Sequence, residues 1–185
     1  MAVRILGGQY RSRVLATPPG KETRPTRSMV REAVFNILQG RLAEASVLDL
    51  FAGSGAMGIE ALSRGAREAV FCDISKEAGA VVKQNLHTLG VEGQCIILQA
   101  NWRQALEGLA ASGRRFDLIF LDPPYTMDIS ELLLAIPGAL AQGGLAVLEQ
   151  GSGRAPDTPA GLALVKERRY GDTTIFLYGR RGDQP

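Results

Sequence analysis

The chain has 185 residues, 45% of them hydrophobic and 22% charged, enough for one well-buried domain with a small appendage and too few for a second full domain. No run of about eighteen apolar residues occurs, and Met1-Ala-Val-Arg-Ile-Leu-Gly-Gly8 has no apolar leader, so a soluble, cytoplasmic protein without a membrane anchor is expected. The net charge of +2 conceals a polarity: residues 1–41 hold eight basic and two acidic residues, a balance of +6, which leaves −4 for the rest.

In chain order, residues 3–16 read as a short hairpin, Val3-Arg-Ile-Leu6 against Arg13-Val-Leu-Ala16 across Gly7-Gly8, and Thr17-Pro-Pro-Gly20 ends it. A helix follows Arg24-Pro-Thr-Arg-Ser28, with Val30, Ala33, Val34, Ile37 and Leu38 at helical spacing and Gly40 closing it. Arg27 and Arg31 lie four apart and share a face of that helix. Arg4, Arg11, Arg24, Arg27 and Arg31 are therefore read as contacts to a polyanion such as nucleic acid, where Lys and Arg facing phosphates supply most of the affinity. Deleting residues 1–20 is expected to weaken that binding and to leave cofactor binding intact.

Val47-Leu-Asp-Leu-Phe51 reads as a buried parallel strand that turns sharply at Ala52-Gly-Ser-Gly55 into a helix over Met57–Arg64, stopped by Gly65. A strand Glu68–Asp73 comes next, then a helix with Ala78, Val81, Val82, Leu86 and Leu89 on one side, capped by Ser75 and ended by Gly90. Further strands are expected at Gln94–Gln99, Phe116–Leu121 and Gly144–Glu149, with helices near Trp102–Ala111 and Ser130–Leu140, the latter kinked by Pro137. Leu162–Glu167 and Thr173–Tyr178 form a closing hairpin. Five strands alternating with four helices predict a doubly wound parallel sheet, and the hairpin adds an antiparallel pair at its edge. Cys72 and Cys95 sit in apolar runs with only His87 for company, which predicts reduced buried thiols and no protein-held metal. His87 itself lies between Leu86 and Leu89 and is read as a surface or boundary residue.

Two motifs carry chemistry. Gly53, Gly55 and Gly58 satisfy G-x-G-x-x-G, and Asp73 lies twenty residues past Gly53, a pattern shared with dinucleotide-binding folds. Asp49, inside the strand and just ahead of the glycines, would repel a pyrophosphate seated on the helix N-terminus and would welcome a cation. S-adenosylmethionine carries an ammonium, a sulfonium and a ribose, so Asp49 near the ammonium and Asp73 near the ribose make a consistent pair. NAD, or a glycine turn that only connects strand to helix, remain the alternatives on this stretch alone. The second motif, Asp122-Pro-Pro-Tyr125, follows the strand that should neighbour the glycine-loop strand at the topological switch point. The Asp122 carboxylate and the Pro123 carbonyl would be two acceptors for an exocyclic amine, and Tyr125 would stack on its base. The alternative there is a rigid turn with a core tyrosine.

Taken together the motifs resemble the RsmD family of bacterial 16S rRNA guanine-N2 methyltransferases. The resemblance runs through Arg4-Ile-Leu-Gly-Gly-Gln-Tyr-Arg11, Arg24-Pro-Thr26, Val30-Arg-Glu-Ala-Val-Phe-Asn36, the stretch Leu48 to Ala66, and Leu121-Asp-Pro-Pro-Tyr125. It implies a Rossmann-like class I methyltransferase fold of seven strands, with a basic extension over residues 1–41 and a methyltransferase domain over 42–185. The implied donor is S-adenosylmethionine, held by Asp49, Phe51, Ala52, Gly53, Gly55, Asp73, Ile74, Asn101 and Trp102. The implied catalytic set is Asp122, Pro123 and Tyr125, and the implied acceptor is the exocyclic N2 of one guanine of 16S rRNA in a small-subunit particle, approached by a monomer. Asn101 stands where the family commonly has Asp, and its side-chain oxygen can still accept a bond from the adenine amino group; Asp73 stands where Glu is more usual. Adenine-N6 methylation of DNA, glutamine methylation and a non-catalytic ribosome-assembly factor are the competing readings.

Overall fold

The structure, a computed structural model, describes residues 3–19, 25–124, 126–151 and 156–183, without the side chains of 25–27. Arg24, Tyr125 and the side chain of Arg27 therefore lie outside the described residues. The elements in order are β1 (Val3–Arg4), β2 (Val14–Leu15), α1 (Pro25–Ile37), β3 (Ser46–Asp49), α2 (Ala56–Ser63), β4 (Glu68–Asp73), α3 (Lys76–Leu89), β5 (Cys95–Gln99), α4 (Trp102–Ala111), β6 (Phe116–Leu121), α5 (Ser130–Ala135), β7 (Leu140–Gly151), β8 (Leu162–Tyr170) and β9 (Thr173–Arg180).

All four residues of β3 are buried, as a central strand covered on both faces must be. It pairs in parallel with β4 on one side and β6 on the other, and the seven-stranded sheet runs β5-β4-β3-β6-β7-β9-β8. Strands β7–β9 and β8–β9 pair antiparallel, so the closing hairpin fills the edge as the sequence predicts. Helices α1, α2 and α3 cover one face through Val34, Phe35, Ile59, Val82 and Leu86. The other face is covered by α4 and α5 through Leu106, Leu109, Leu132 and Leu133. Ser75 accepts from the Ala78 N–H and caps α3, and Gly90 ends it in the left-handed region.

Several boundaries differ from the sequence reading. The helix expected over Ser130–Leu140 is only α5, because Pro137 converts its continuation into a 3₁₀ turn at Ile136–Gly138. Strand β7 begins at Leu140 rather than Gly144, since the register against β6 jumps between Phe116 and Leu118 and the glycines sit inside a bulge. Among the described residues the strand ladder of the first hairpin joins Val3 with Leu15 and Arg4 with Val14, and the Ile5 N–H donates to the Arg13 carbonyl at 3.0 Å.

The amino-terminal arm has no core of its own. Val3, Ile5 and Leu15 join the cluster that α1 and α2 form over the sheet. Its polar anchor is Glu60, 1% exposed, whose carboxylate accepts from the Leu6 N–H at 2.7 Å and the Gly7 N–H at 2.8 Å. The Arg64 guanidinium completes that carboxylate at 2.8 Å and lies 5.1 Å from the Phe35 ring centre. Ser63 adds two bonds, accepting at Oγ from Tyr10 N–H and donating to the Gly7 carbonyl. A side chain at Gly8 would put its Cβ 1.8 Å from the Ser63 carbonyl oxygen, at a φ of +77°, so only glycine fits there. Glu60→Gln removes the charge that orders two backbone N–H groups and Arg64, and should cost about 3 kcal/mol in urea unfolding. A loss below about 1 kcal/mol would mean that apolar packing alone holds the arm.

Candidate active site

The site grows from the carboxyl end of β3. Asp49 pairs in register with Phe120 of β6, and the Leu50 N–H donates to the Phe120 carbonyl at 3.1 Å. The glycine loop after β3 and the Asp122 loop after β6 therefore leave adjacent strands, at the point where the sheet order reverses. Gly55 begins α2 with φ of 78°. A Cβ on Gly58 would lie 2.3 Å from the Phe71 ring, so this glycine lets the first turn of α2 press onto β4.

Asp49 is 4% exposed, and its Oδ2 accepts from the Gly58 N–H at 3.0 Å. This bond goes to the first turn of α2, a use of the carboxylate that the sequence reading, which reserved it for a ligand ammonium, did not include. Burial pushes the Asp49 carboxyl up to about 7, the Gly58 N–H opposes this, and Asp122 and Asp73 raise it further. Asp73 is bound within the loops as well: Oδ2 accepts from the Gly53 N–H and Oδ1 from the Ser75 N–H, both at 2.9 Å. Each carboxylate oxygen keeps a second acceptor position. Asn101 caps α4, accepting from the Gln104 N–H at 3.0 Å, and Trp102 is half-buried with the Arg103 guanidinium 4.5 Å from its ring centre. Arg103 also pairs with Glu131 at the start of α5.

Around these groups Ile74 is 73% exposed, an apolar side chain open to solvent directly after Asp73. Ala52 is 8% exposed and donates its N–H to the Cys72 carbonyl, while Phe51 is half-buried against the second core. Asp122 is exposed and Pro123 buried, and the Pro124 carbonyl accepts from the Met127 N–H at 2.9 Å. Three carboxylates thus converge on one crevice, a negative environment suited to a cationic ligand. Among the described residues no group of His, Cys, Asp and Glu could hold a metal ion. Burial raises the Cys72 thiol to about 11 and the Cys95 thiol to about 12, so both stay protonated at neutral pH.

Of the basic set, Arg4 and Arg11 are exposed. Arg31 is a correction: it is 8% exposed, and its guanidinium donates to the Arg4 carbonyl at 2.6 Å. The arm folds over it, and burial lowers its pKa. It serves the fold instead of facing phosphate.

Sequence reading missed Asn85. This residue is 4% exposed on the inner side of α3. Its Oδ1 accepts from the Ala16 N–H at 2.8 Å, and its Nδ2 donates to the Ala16 and Ser54 carbonyls, each at 3.0 Å. One amide thereby ties the arm to the glycine loop. The signal was a polar residue on the apolar stripe of Val82, Leu86 and Leu89. With Glu60, it also corrects the expectation for deleting residues 1–20, which would strip buried partners from Glu60 and Ser63 of α2 and from Asn85 of α3, the residue that holds the glycine loop.

A parallel sheet in this order, with an antiparallel hairpin at one edge and a glycine loop at the switch point, is the fold of the class I S-adenosylmethionine-dependent methyltransferases. A family model described as Conserved hypothetical protein 95 matches residues 3–179. Ribosomal RNA small subunit methyltransferase D of Escherichia coli (strain K12) is 36% identical over 182 residues, covering 96% of this chain and 90% of its own length. The solved structure of yhhF from Escherichia coli aligns with a TM-score of 0.84 and 31% identity, covering 97% of this chain and 98% of that one. A SAM-dependent methyltransferase from Agrobacterium tumefaciens, 19% identical with a TM-score of 0.64 over 85% of this chain and 63% of its own, shares the fold. The chain belongs to the RsmD family.

The raised Asp49 carboxyl has a consequence for stability. Between about pH 4 and pH 7 the folded protein holds a proton on Asp49 that the unfolded chain, with its ordinary value of 3.8, releases. Its contribution is therefore complete below about pH 4 and lost as pH rises to about 7. Asp49→Asn should gain on the wild type across that window by up to ~1.4 kcal/mol per pH unit, read by urea unfolding at several pH values. Parallel curves for the two proteins would rule this out.

Proposed function

We propose that this protein transfers the methyl group of S-adenosylmethionine to the exocyclic N2 of a guanine in 16S rRNA, in a small-subunit particle. The observation that carries the reading is the convergence of Asp49, Asp73 and Asp122 around a glycine loop at the switch point. A sulfonium donor is a cation, and three carboxylates attract it where they would repel a pyrophosphate. The rRNA substrate is inferred from the Escherichia coli relative, whose name specifies the small-subunit ribosomal RNA, and from the +6 balance of residues 1–41.

In this reading the donor lies across the carboxyl ends of β3 and β4. Asp73 accepts from the ribose hydroxyls, Ile74 and Trp102 flank the adenine, and Asn101 accepts from its amino group. Phe51, Ala52, Gly53 and Gly55 follow the methionine moiety, with Asp49 beneath its ammonium. The target guanine leaves its stack, and Tyr125 provides a new stacking partner. Its amine then donates to the Asp122 carboxylate and the Pro123 carbonyl. As nitrogen attacks the methyl carbon, the carbon–sulfur bond breaks and the amine becomes cationic. Acceptors already aimed at that charge stabilise the transition state, and the proton leaves afterwards. Arg4, Arg11, Arg24 and Arg27 hold the RNA backbone.

The test is methylation of small subunits lacking the modification, with labelled donor and mapping of the product base. Asp122→Ala should lower turnover by on the order of 100-fold or more while calorimetry finds donor affinity little changed. Tyr125→Phe should retain most activity and Tyr125→Ala should not. A methyl group mapped to a ring nitrogen, a carbon or a ribose hydroxyl, or near-normal turnover by Asp122→Ala, would overturn the assignment.

A further inference from the structure

The net −4 of residues 42–185 hides a second basic region. From Leu162 to Arg181 the closing hairpin carries Lys166, Arg168, Arg169, Arg180 and Arg181 against Glu167 and Asp172, a balance of +3. Strand β8 is the outer edge of the sheet, paired only with β9. Its register sorts these residues by face. Lys166 lies opposite Leu177, Arg168 opposite Ile175 and Tyr170 opposite Thr173. Ile175 and Leu177 belong to the core under α1, and Tyr170 packs against that core. Lys166, Arg168 and Tyr170 therefore form one row on the same face of the sheet as α1. Glu167 is opposite Phe176 and turns to the other face.

The row also sits at the height of the active site. Arg168 is level with Ile175, which is level with Glu149 of β7. Leu148, one residue earlier, is level with Leu121, the residue before Asp122. Asp122 and Arg168 thus stand at the same edge of the sheet, separated by three strand spacings, or roughly 14 Å. Arg168 is exposed and Lys166 half-buried, and among the described residues neither is in an ion pair. The Arg168 guanidinium donates, among the described residues, to the Glu167 carbonyl next to it, at 2.8 Å. Basic residues also guard an edge strand against pairing with another chain. Such guarding needs charge on either face, whereas this pair lies on the one that carries α1 and ends level with Asp122.

We infer that the Lys166–Arg168–Tyr170 row is a second contact for substrate RNA, holding the phosphate backbone on the side of the catalytic crevice opposite the donor loops. This rests on the RNA reading above and adds a surface to it. Lys166 and Arg168 would neutralise phosphates, and the ring of Tyr170 would lie beside a ribose or an unstacked base. The target nucleotide would then be held on both sides, by the amino-terminal arm with α1 and by β8.

The experiment measures binding of the wild type to a small-subunit rRNA fragment over a series of salt concentrations. Lys166→Gln with Arg168→Gln should weaken binding about 10-fold at 0.1 M salt and lower the salt slope by about 1.5, two phosphate contacts at ~0.7–0.9 each. Donor affinity by calorimetry should not change. Lys166→Arg with Arg168→Lys keeps both charges and should keep the slope, which separates charge from a structural role. An unchanged slope for the glutamine variant, on a wild type that does bind RNA, overturns this inference and leaves the RNA reading standing. A wild type that binds no RNA overturns both. As an independent reading, ultraviolet cross-linking should attach RNA to the peptide holding Tyr170, and cross-links confined to residues 1–41 would count against the second contact.

Discussion

The carboxylate of Glu60 is the point on which the arrangement depends. It is fully buried on α2 and is satisfied from two directions, by two successive backbone N–H groups of the arm and by Arg64 one turn along its own helix. A buried carboxylate without such partners would be several kcal/mol out of balance. Helix α2 can therefore keep Glu60 inside only if the arm lies across it. The same helix starts at Gly55 and presents its first turn to Asp49. One eight-residue helix thus fixes the arm with one end and the glycine loop with the other, and the two parts share a rigid element.

Electrostatics in the crevice follow from the same geometry. Parallel strands deliver their following loops to one edge, so acids placed at or just after the ends of β3, β4 and β6 must face one another. Asp49 is held against the sheet by Gly58, Asp73 is held by Gly53 and Ser75, and Asp122 is exposed. The first two shape the loop through backbone N–H groups before any ligand arrives. Such preorganisation removes part of the ordering cost of binding. In the structure Asp49 and Asp73 thus each have a place in the loops beyond the ligand contact that the bare motif suggests.

Much of the fold was legible in the sequence because buried parallel strands read as apolar runs, and the order of runs, glycines and caps follows local rules. Strand β3, the glycine loop, the caps at Ser75 and Gly90 and the closing hairpin are of this kind. Contacts between distant segments were not legible. The spacing of Arg27 and Arg31 places them on one side of α1 but cannot show that the arm covers Arg31. Glu60 looks like any helix glutamate until Leu6 and Gly7, more than fifty positions earlier, are found against it. The Gly143-Gly144 pair reads as a strand start, and only the register against β6 shows it to be a bulge. A segment-wide charge sum hid the positive row on β8, because that row exists only once alternate residues are assigned to opposite faces.

The bridge made by Asn85 has a consequence for the order in which the molecule matures. Ala16 precedes Asn85 by 69 residues and Ser54 precedes it by 31. During synthesis the arm and the glycine loop both leave the ribosome before the amide that joins them. The arm can meet Glu60 and Ser63 before α3 emerges, but its Ala16 end and the glycine loop are joined only once α3 has emerged and packed. The nascent chain therefore joins its amino-terminal arm to its glycine loop in a single late event, after both segments have left the ribosome.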